Sequence, residues 1–204
     1  MKTAAQIKFD TIIKEGFASL LKPLSFKKKA LNFYRQLPGL GHIINIQKSS
    51  YGDSCNIKFR INVGVFEPRF YLAKYDFKRT GVIPDYPTEP VCLIRKTIND
   101  LRHRKDLWYE VGEGSDEQAL IGEMQMNLRQ YILPFWESLD SIDKIFQALE
   151  KDPYLPSMPL ALLVFYGEYG RTAQARAVYE GLVRDINPLA EGTLKGYAKK
   201  YKLG

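Results

Sequence analysis

The stretch GHIINIQKSSYGDSCNIKFRINVGVF, residues 41–66, decides the fold. In its second half Ile57, Phe59, Ile61, Val63 and Val65 alternate with Asn56, Lys58, Arg60 and Asn62. Successive side chains of a strand point to opposite faces, so this period of two puts the apolar set on one side and the polar set on the other. HIINIQKSS reads as the preceding strand and YGDS as the turn between them. One step further out, ALNFYRQL (residues 30–37) sets Leu31, Phe33 and Leu37 against Asn32, Tyr34 and Gln36, and PGLG turns the chain. Together these give an antiparallel meander with one buried face.

Upstream, TAAQIKFDTIIKEGFASLLKPL carries Phe9, Ile12, Ile13, Phe17, Leu20 and Leu21 at helical spacing. Thr3 and Gln6 fit a capping box, Gly16 costs about 1 kcal/mol relative to Ala, and Pro23 closes the pattern. FKKK reads as a connector to the first strand. Downstream, RFYLAKYDF reads as strand or irregular chain, PDYPTEP as a loop, and VCLIR and LWYEV as short strands around KTINDLRHRKD. Four or five strands are expected.

After GEGS the pattern is helical. Ser115 and Gln118 suggest a second capping box, and Leu120, Ile121, Met124, Leu128, Tyr131, Ile132, Phe135, Trp136 and Leu139 form one stripe in which Pro134 should kink the helix. Ile142, Ile145, Phe146 and Leu149 continue to the break KDPYLPSMP. Residues 160–188 then read as a helical hairpin joined at Gly170, with Thr172 as the next N-cap. Tyr166, Gly170, Ala175 and Tyr179 fit the packing positions of a tetratricopeptide unit, although Leu163 stands where that repeat prefers Gly. A single such unit cannot bury a continuous core, so the hairpin is expected to dock on the rest. The fold class is α+β: an N-terminal helix, an antiparallel sheet and a C-terminal helical part, with residues 1–113 as the α+β core and 114–204 as a helical extension packed on it.

Composition narrows the setting. Hydrophobic residues make up 45% of the 204, enough for a packed core. No apolar run reaches the roughly 18 residues of a membrane helix, and acidic residues interrupt the start where a signal peptide is apolar, so a cytoplasmic protein without a membrane partner is expected. Cys55 and Cys92 have no metal spacing and read as small strand residues. Residues 1–110 hold 20 Lys and Arg against 10 Asp and Glu, whereas residues 111–194 hold 6 against 13. That division fits two pieces of one molecule that complement each other, or a basic part that attracts nucleic acid.

FDTIIKEGFASLLKPLSFKKKALNFYRQL followed by INIQKSSYGDSCNIKFRINVGVF resembles the bacterial family catalogued as domain of unknown function 4304. The order carries the likeness: a helix beginning near Phe9, SFKKKALNFYR at the opening of the strands, NIQKS, then INVGV, with Trp108 matching a Trp of a later strand. Ser25 stands where the family pattern has Gly. The resemblance implies an α+β fold and carries no catalytic residue onto this chain.

Three functional readings follow. If the strands pair in order, Tyr34, Asn45, Gln47, Ser49, Lys58, Arg60 and Asn62 share one face with Asn32 and Gln36, and such directional donors and acceptors suit an unidentified protein or peptide partner, as the helical hairpin also does. The same face is equally what an antiparallel sheet leaves solvated. The alternative is nucleic-acid binding through Lys27, Lys28 and Lys29 with Arg102 and Arg104, although no nucleic-acid motif accompanies them. The third is a hydrolase of unknown class; neither His42 nor His103 has a nucleophile or metal setting, so no catalytic residue, metal or cofactor is expected.

Overall fold

A computed structural model describes residues 2–105, 108–156, 158–184 and 188–203. Asp106 and Leu107, Ser157 in the proline-rich break and residues 185–187 at the end of the hairpin lie outside the described residues.

Helix α1, Ala4–Ile13, starts from the expected capping box: the Thr3 hydroxyl accepts from the Gln6 N–H at 3.2 Å and the Gln6 side chain accepts from the Thr3 N–H at 3.0 Å. The chain continues through a π-helical turn at Lys14–Ala18 and ends in a 3-10 turn at Lys22–Leu24. Ser25 follows with φ 64°, a left-handed conformation that glycine adopts without penalty and serine does not. The Gly of the family pattern therefore answers a real backbone demand at this position.

Six strands form one sheet, in the order β1 (Lys27–Lys29), β2 (Asn32–Leu37), β3 (Leu40–Lys48), β4 (Ile57–Phe66) and β5 (Ile94–Thr97), with β6 (Tyr109–Val111) paired to the start of β4. Every pairing is antiparallel. The strand beyond the expected number is β1: Lys27, Lys28 and Lys29 are not a connector but pair with Tyr34, Phe33 and Asn32. Three exposed lysines on an edge discourage pairing with another chain. RFYLAKYDF is also corrected, since Pro68–Lys74 form helix α2. The Glu67 carboxylate caps it, accepting from the N–H groups of Arg69 at 2.9 Å and Phe70 at 2.6 Å, and Pro68 sits at the first helical position, where no N–H is needed. A short helix α3, Ile98–Leu101, joins β5 to β6.

Ile57, Phe59, Ile61, Val63 and Val65 are all buried, as the alternation requires, and two helices cover them. One is α1, whose Phe9 meets Phe59 edge-on at 5.3 Å. The other begins as α4, Glu117–Asn127, passes a π-helical turn at Leu128–Ile132 and continues as α5, Leu133–Glu137. The wide turn directly precedes Pro134, where a missing N–H and a bulky ring would disturb a regular α-helix. The N-cap is Asp116, accepting from the Ala119 N–H at 3.0 Å, not Ser115, whose hydroxyl instead accepts from the Gly112 N–H at 2.9 Å. A Cβ at Gly16 would lie 2.6 Å from the Met124 Cβ, so the two helices reach their spacing only because residue 16 has no side chain.

Helix α6, Ile142–Lys151, is capped by Ser141, and α7, Pro159–Glu168, is apolar on every side, with Ala161 to Tyr166 all buried. Gly170 takes the expected left-handed conformation, φ 67°. Helix α8, Thr172–Arg184, begins one residue earlier than expected: Thr172 is its first helical residue and the Arg171 carbonyl accepts from the Ala175 N–H at 2.9 Å. Helix α9, Pro188–Tyr201, closes the hairpin from outside and buries Leu194 and Ala198. One apolar cluster runs from Ala5 to Leu203, across residue 113.

Gly16→Ala is expected to destabilise the protein by about 1–3 kcal/mol through overpacking against Met124. Ser25→Gly should act in the opposite sense: relief of left-handed strain outweighs the added unfolded-state entropy by about 0.5–1 kcal/mol. Urea unfolding of the two variants beside the parent checks both signs.

Candidate functional site

The sheet face turned away from α1 and α4 divides in two. Toward one end, Tyr34, Ile43, Phe66 and Cys92 form a small second core, with Tyr71, Tyr86 and Val91 against it. The segment between α2 and β5 crosses here, and Tyr86 pins it: its hydroxyl lies 2.6 Å from the Asn32 carbonyl and accepts from the Lys29 N–H at 3.0 Å. Tyr34 is therefore not an open site residue; it is buried, with its ring 5.7 Å from that of Tyr86. Burial also raises the Cys92 thiol well above its ordinary pKa, with Glu89 adding to the effect, so it is no ready nucleophile.

The other half is open and polar. The register places Asn32, Asn45, Asn62 and Thr97 in one row across four strands, with Gln47 and Arg60 paired in the next row. The Asn45 amide donates to the Asn32 oxygen at 2.8 Å, and the Asn62 amide donates to the oxygens of Asn45 at 3.1 Å and Gln47 at 3.0 Å. The Arg60 Nε donates to the same Gln47 oxygen at 2.9 Å, and its guanidinium lies 5.2 Å from the Trp108 ring centroid. The amide oxygens of Asn32, Asn45 and Gln47 each accept within the row, while the exposed Gln47 keeps a free amide nitrogen and Arg60 has no ion pair among the described residues. The row thus presents donors held in place by their neighbours.

The structure brings Asn45, Gln47, Arg60 and Asn62 together as expected, but Asn62 is buried, 5% exposed, as a structural member of the row. Lys58 stands at the margin in an ion pair with Glu110 at 2.8 Å. Ser49 is separate: its hydroxyl accepts from the Tyr51 N–H in the β3–β4 turn. Trp108, Glu89 and Arg95 were missed as members. Arg95 and Glu89 form a two-bond ion pair at 2.6 and 3.3 Å and border a shallow depression of about 230 Å³ with Arg60, Asn62 and Thr97. The alternation of IRKT was the signal for Arg95; Trp108 enters only through the β4–β6 pairing.

Of the basic residues, Lys27, Lys28, Lys29 and Arg104 are exposed. Arg102 is not available to nucleic acid. Its side chain is 6% exposed and donates to Glu123 at 2.6 Å and Asn127 at 3.1 Å, while the Asn127 amide donates to the Tyr109 hydroxyl at 2.8 Å. This network ties β6 to α4.

Residues 17–138 match the family described as Domain of unknown function (DUF4304). The chain belongs to that family. No curated protein and no solved structure matches it. The DUF4304 region contains the whole sheet and runs to Ser138, so it includes the helix that covers the core face.

Within the DUF4304 region His42 points to the core face. Its ring stacks on Trp136 at 4.9 Å, nearly parallel, and Nδ1 accepts from an Arg35 nitrogen at 2.9 Å. Nε2 of His42, Nε1 of Trp136 and Nε of Arg35 have no partner among the described residues. Burial first, and the Arg35 charge second, lower the His42 pKa from 6.5 to about 3, against a smaller opposing effect of Asp140. The fold thus holds His42 neutral, whereas the unfolded chain takes up a proton below pH 6.5. Stability falls as the pH drops from 6.5 toward 3. By pH 5 the loss from this group is about 2 kcal/mol. His42→Phe keeps the stacked ring and should remove that part of the pH dependence, read from urea midpoints at pH 7 and pH 5.

Proposed function

We propose that this protein is a cytoplasmic, non-catalytic interaction protein that binds a protein or peptide through the open half of the second sheet face. One observation supports this above the others. The amide oxygens of Asn32, Asn45 and Gln47 are all accepting within the face and Asn62 is buried, so the accessible groups for a ligand include the donors at Gln47 and Arg60. A ligand suited to them supplies acceptors, such as peptide carbonyls or a carboxylate. Donors already fixed by neighbours lose little side-chain freedom on binding, which favours recognition over solubility decoration. The depression between Arg60 and the Glu89–Arg95 pair offers room for a side chain beside such a backbone. The hairpin is the weaker surface, because α7 is buried on all sides and Tyr169 is engaged by the Glu67 carboxylate at 3.1 Å.

Selection of a random peptide library on the immobilised protein tests the reading. Enriched peptides should lose about 1–3 kcal/mol of binding to Gln47→Ala and Arg60→Ala, with little change in salt dependence. Asn62→Ala is the wrong probe, since removing it breaks the row itself. Unchanged affinity of both variants for every enriched peptide would exclude this face. If a labelled oligonucleotide binds instead, with a salt slope that drops by about 0.7–0.9 for each of Lys27, Lys28 and Lys29 replaced, the nucleic-acid alternative takes its place.

A further inference from the structure

The segment that covers the second core carries an unusual tip. Among the described residues eight large hydrophobic side chains are exposed, and three of them, Phe77 at 87%, Val82 at 65% and Ile83 at 43%, lie within seven residues of one another. Apolar residues scattered singly over a surface need no explanation, but a cluster at a loop tip does. The tip is held in shape. The Asp76 carboxylate accepts from the Thr80 N–H and hydroxyl, each at 3.0 Å, and from the Gly81 N–H at 2.7 Å. Tyr86 fixes the far end of the loop against β1.

Those anchors bring two sets of cations to the apolar tip. Lys78 and Arg79 lie within the tip, between Phe77 and Val82, and Arg79 shares a groove of about 590 Å³ with Lys200 and Tyr197 of α9. Beyond the tip Tyr86 ties the loop to the backbone of Lys27 and Lys29, whose exposed side chains share the loop's face of the sheet, whereas Lys28 projects to the other. None of Lys27, Lys28, Lys29, Lys78 and Arg79 has an ion-pair partner among the described residues. Of the nearby acids, Asp76 is occupied by the turn, Glu89 by Arg95 and Glu168 by Lys200, which leaves Asp85.

We propose that this loop is a membrane-contact site: Phe77, Val82 and Ile83 enter the interfacial layer of an anionic bilayer while Lys27, Lys29, Lys78 and Arg79 meet its headgroup phosphates and carboxylates. An aliphatic and aromatic tip accompanied by basic side chains matches that boundary on both counts, where apolar burial and charge attraction act together. A protein groove that accepted the same tip would have to desolvate the surrounding lysines. A bilayer surface leaves them hydrated. The contact is peripheral; no described helix is long and apolar enough to cross a membrane. It uses none of the residues assigned to the peptide face, so either assignment can fail alone.

The test is co-sedimentation of the full chain with vesicles of phosphatidylcholine, with and without phosphatidylserine. Binding is expected only with phosphatidylserine and should weaken with added salt. The double variant Phe77→Ser, Val82→Ser should lower partitioning by about tenfold or more, and Lys29→Glu by about fivefold or more. A Phe77→Trp variant should gain blue-shifted emission on vesicle addition, a readout that does not depend on loss of binding. Absence of sedimentation with anionic vesicles would overturn the proposal. So would binding that Phe77→Ser, Val82→Ser leaves unchanged, since the attraction would then be charge alone. A lipid-free dimer that the same double variant dissociates would overturn it as well, by assigning the tip to a second copy of the chain.

Discussion

Everything in this molecule answers to the apolar face of β4. That strand pairs with β3 along its length and with β5 and β6 in turn on its other edge, so its side chains sit at the centre of the sheet. Ile57, Phe59, Ile61, Val63 and Val65 have no alternative to burial, and each contributes on the order of 1.5–3 kcal/mol when fully covered. A single helix is too narrow to cover them. Two must lie side by side, and Gly16 against Met124 is the contact at which they are brought close. The π-helical turns in both helices fall in that same layer, at Lys14–Ala18 and Leu128–Ile132.

The opposite face shows how one sheet surface can carry two kinds of chemistry. Where Tyr86 draws the long connection down, the pleat is apolar and closed; one row further along it becomes a chain of amides. The cost of burying Asn62 is offset because its amide has two acceptors, Asn45 and Gln47. The outward donors at Gln47 and Arg60 are therefore a by-product of satisfying the interior. The proposed ligand face and a stability device share the same hydrogen bonds.

Much of this was legible in the residues. Alternation in 57–66 gave the strand, its faces and its central place, and Thr3 with Gln6 marked the first helix. What stayed hidden depends on distance or on competing local signals. Nothing near Tyr34 or Asn62 announces that residues about 30 to 50 positions away will fold across one and leave the other at the edge of the cover. Lys27–Lys29 look solvated because they are, yet they still pair as a strand through backbone groups that side-chain character does not report. In α2 the aromatic content of RFYLAK outweighed the quieter marks of a helix start, a carboxylate at Glu67 followed by Pro68. Arg102 was read by its charge, while Glu123 and Asn127, two turns of another helix, decided its place.

The Arg102 network carries a consequence for how the chain is made. β4 is complete at Phe66, but its inner face waits for Met124, Leu128, Ile132 and Trp136. A ribosome must add some seventy further residues before that cover exists, at about 5–20 residues per second. For several seconds the nascent sheet holds an uncovered apolar surface, its one finished edge guarded by three lysines. Arg102, Glu123 and Asn127 then act as a latch that closes only when the late helix arrives.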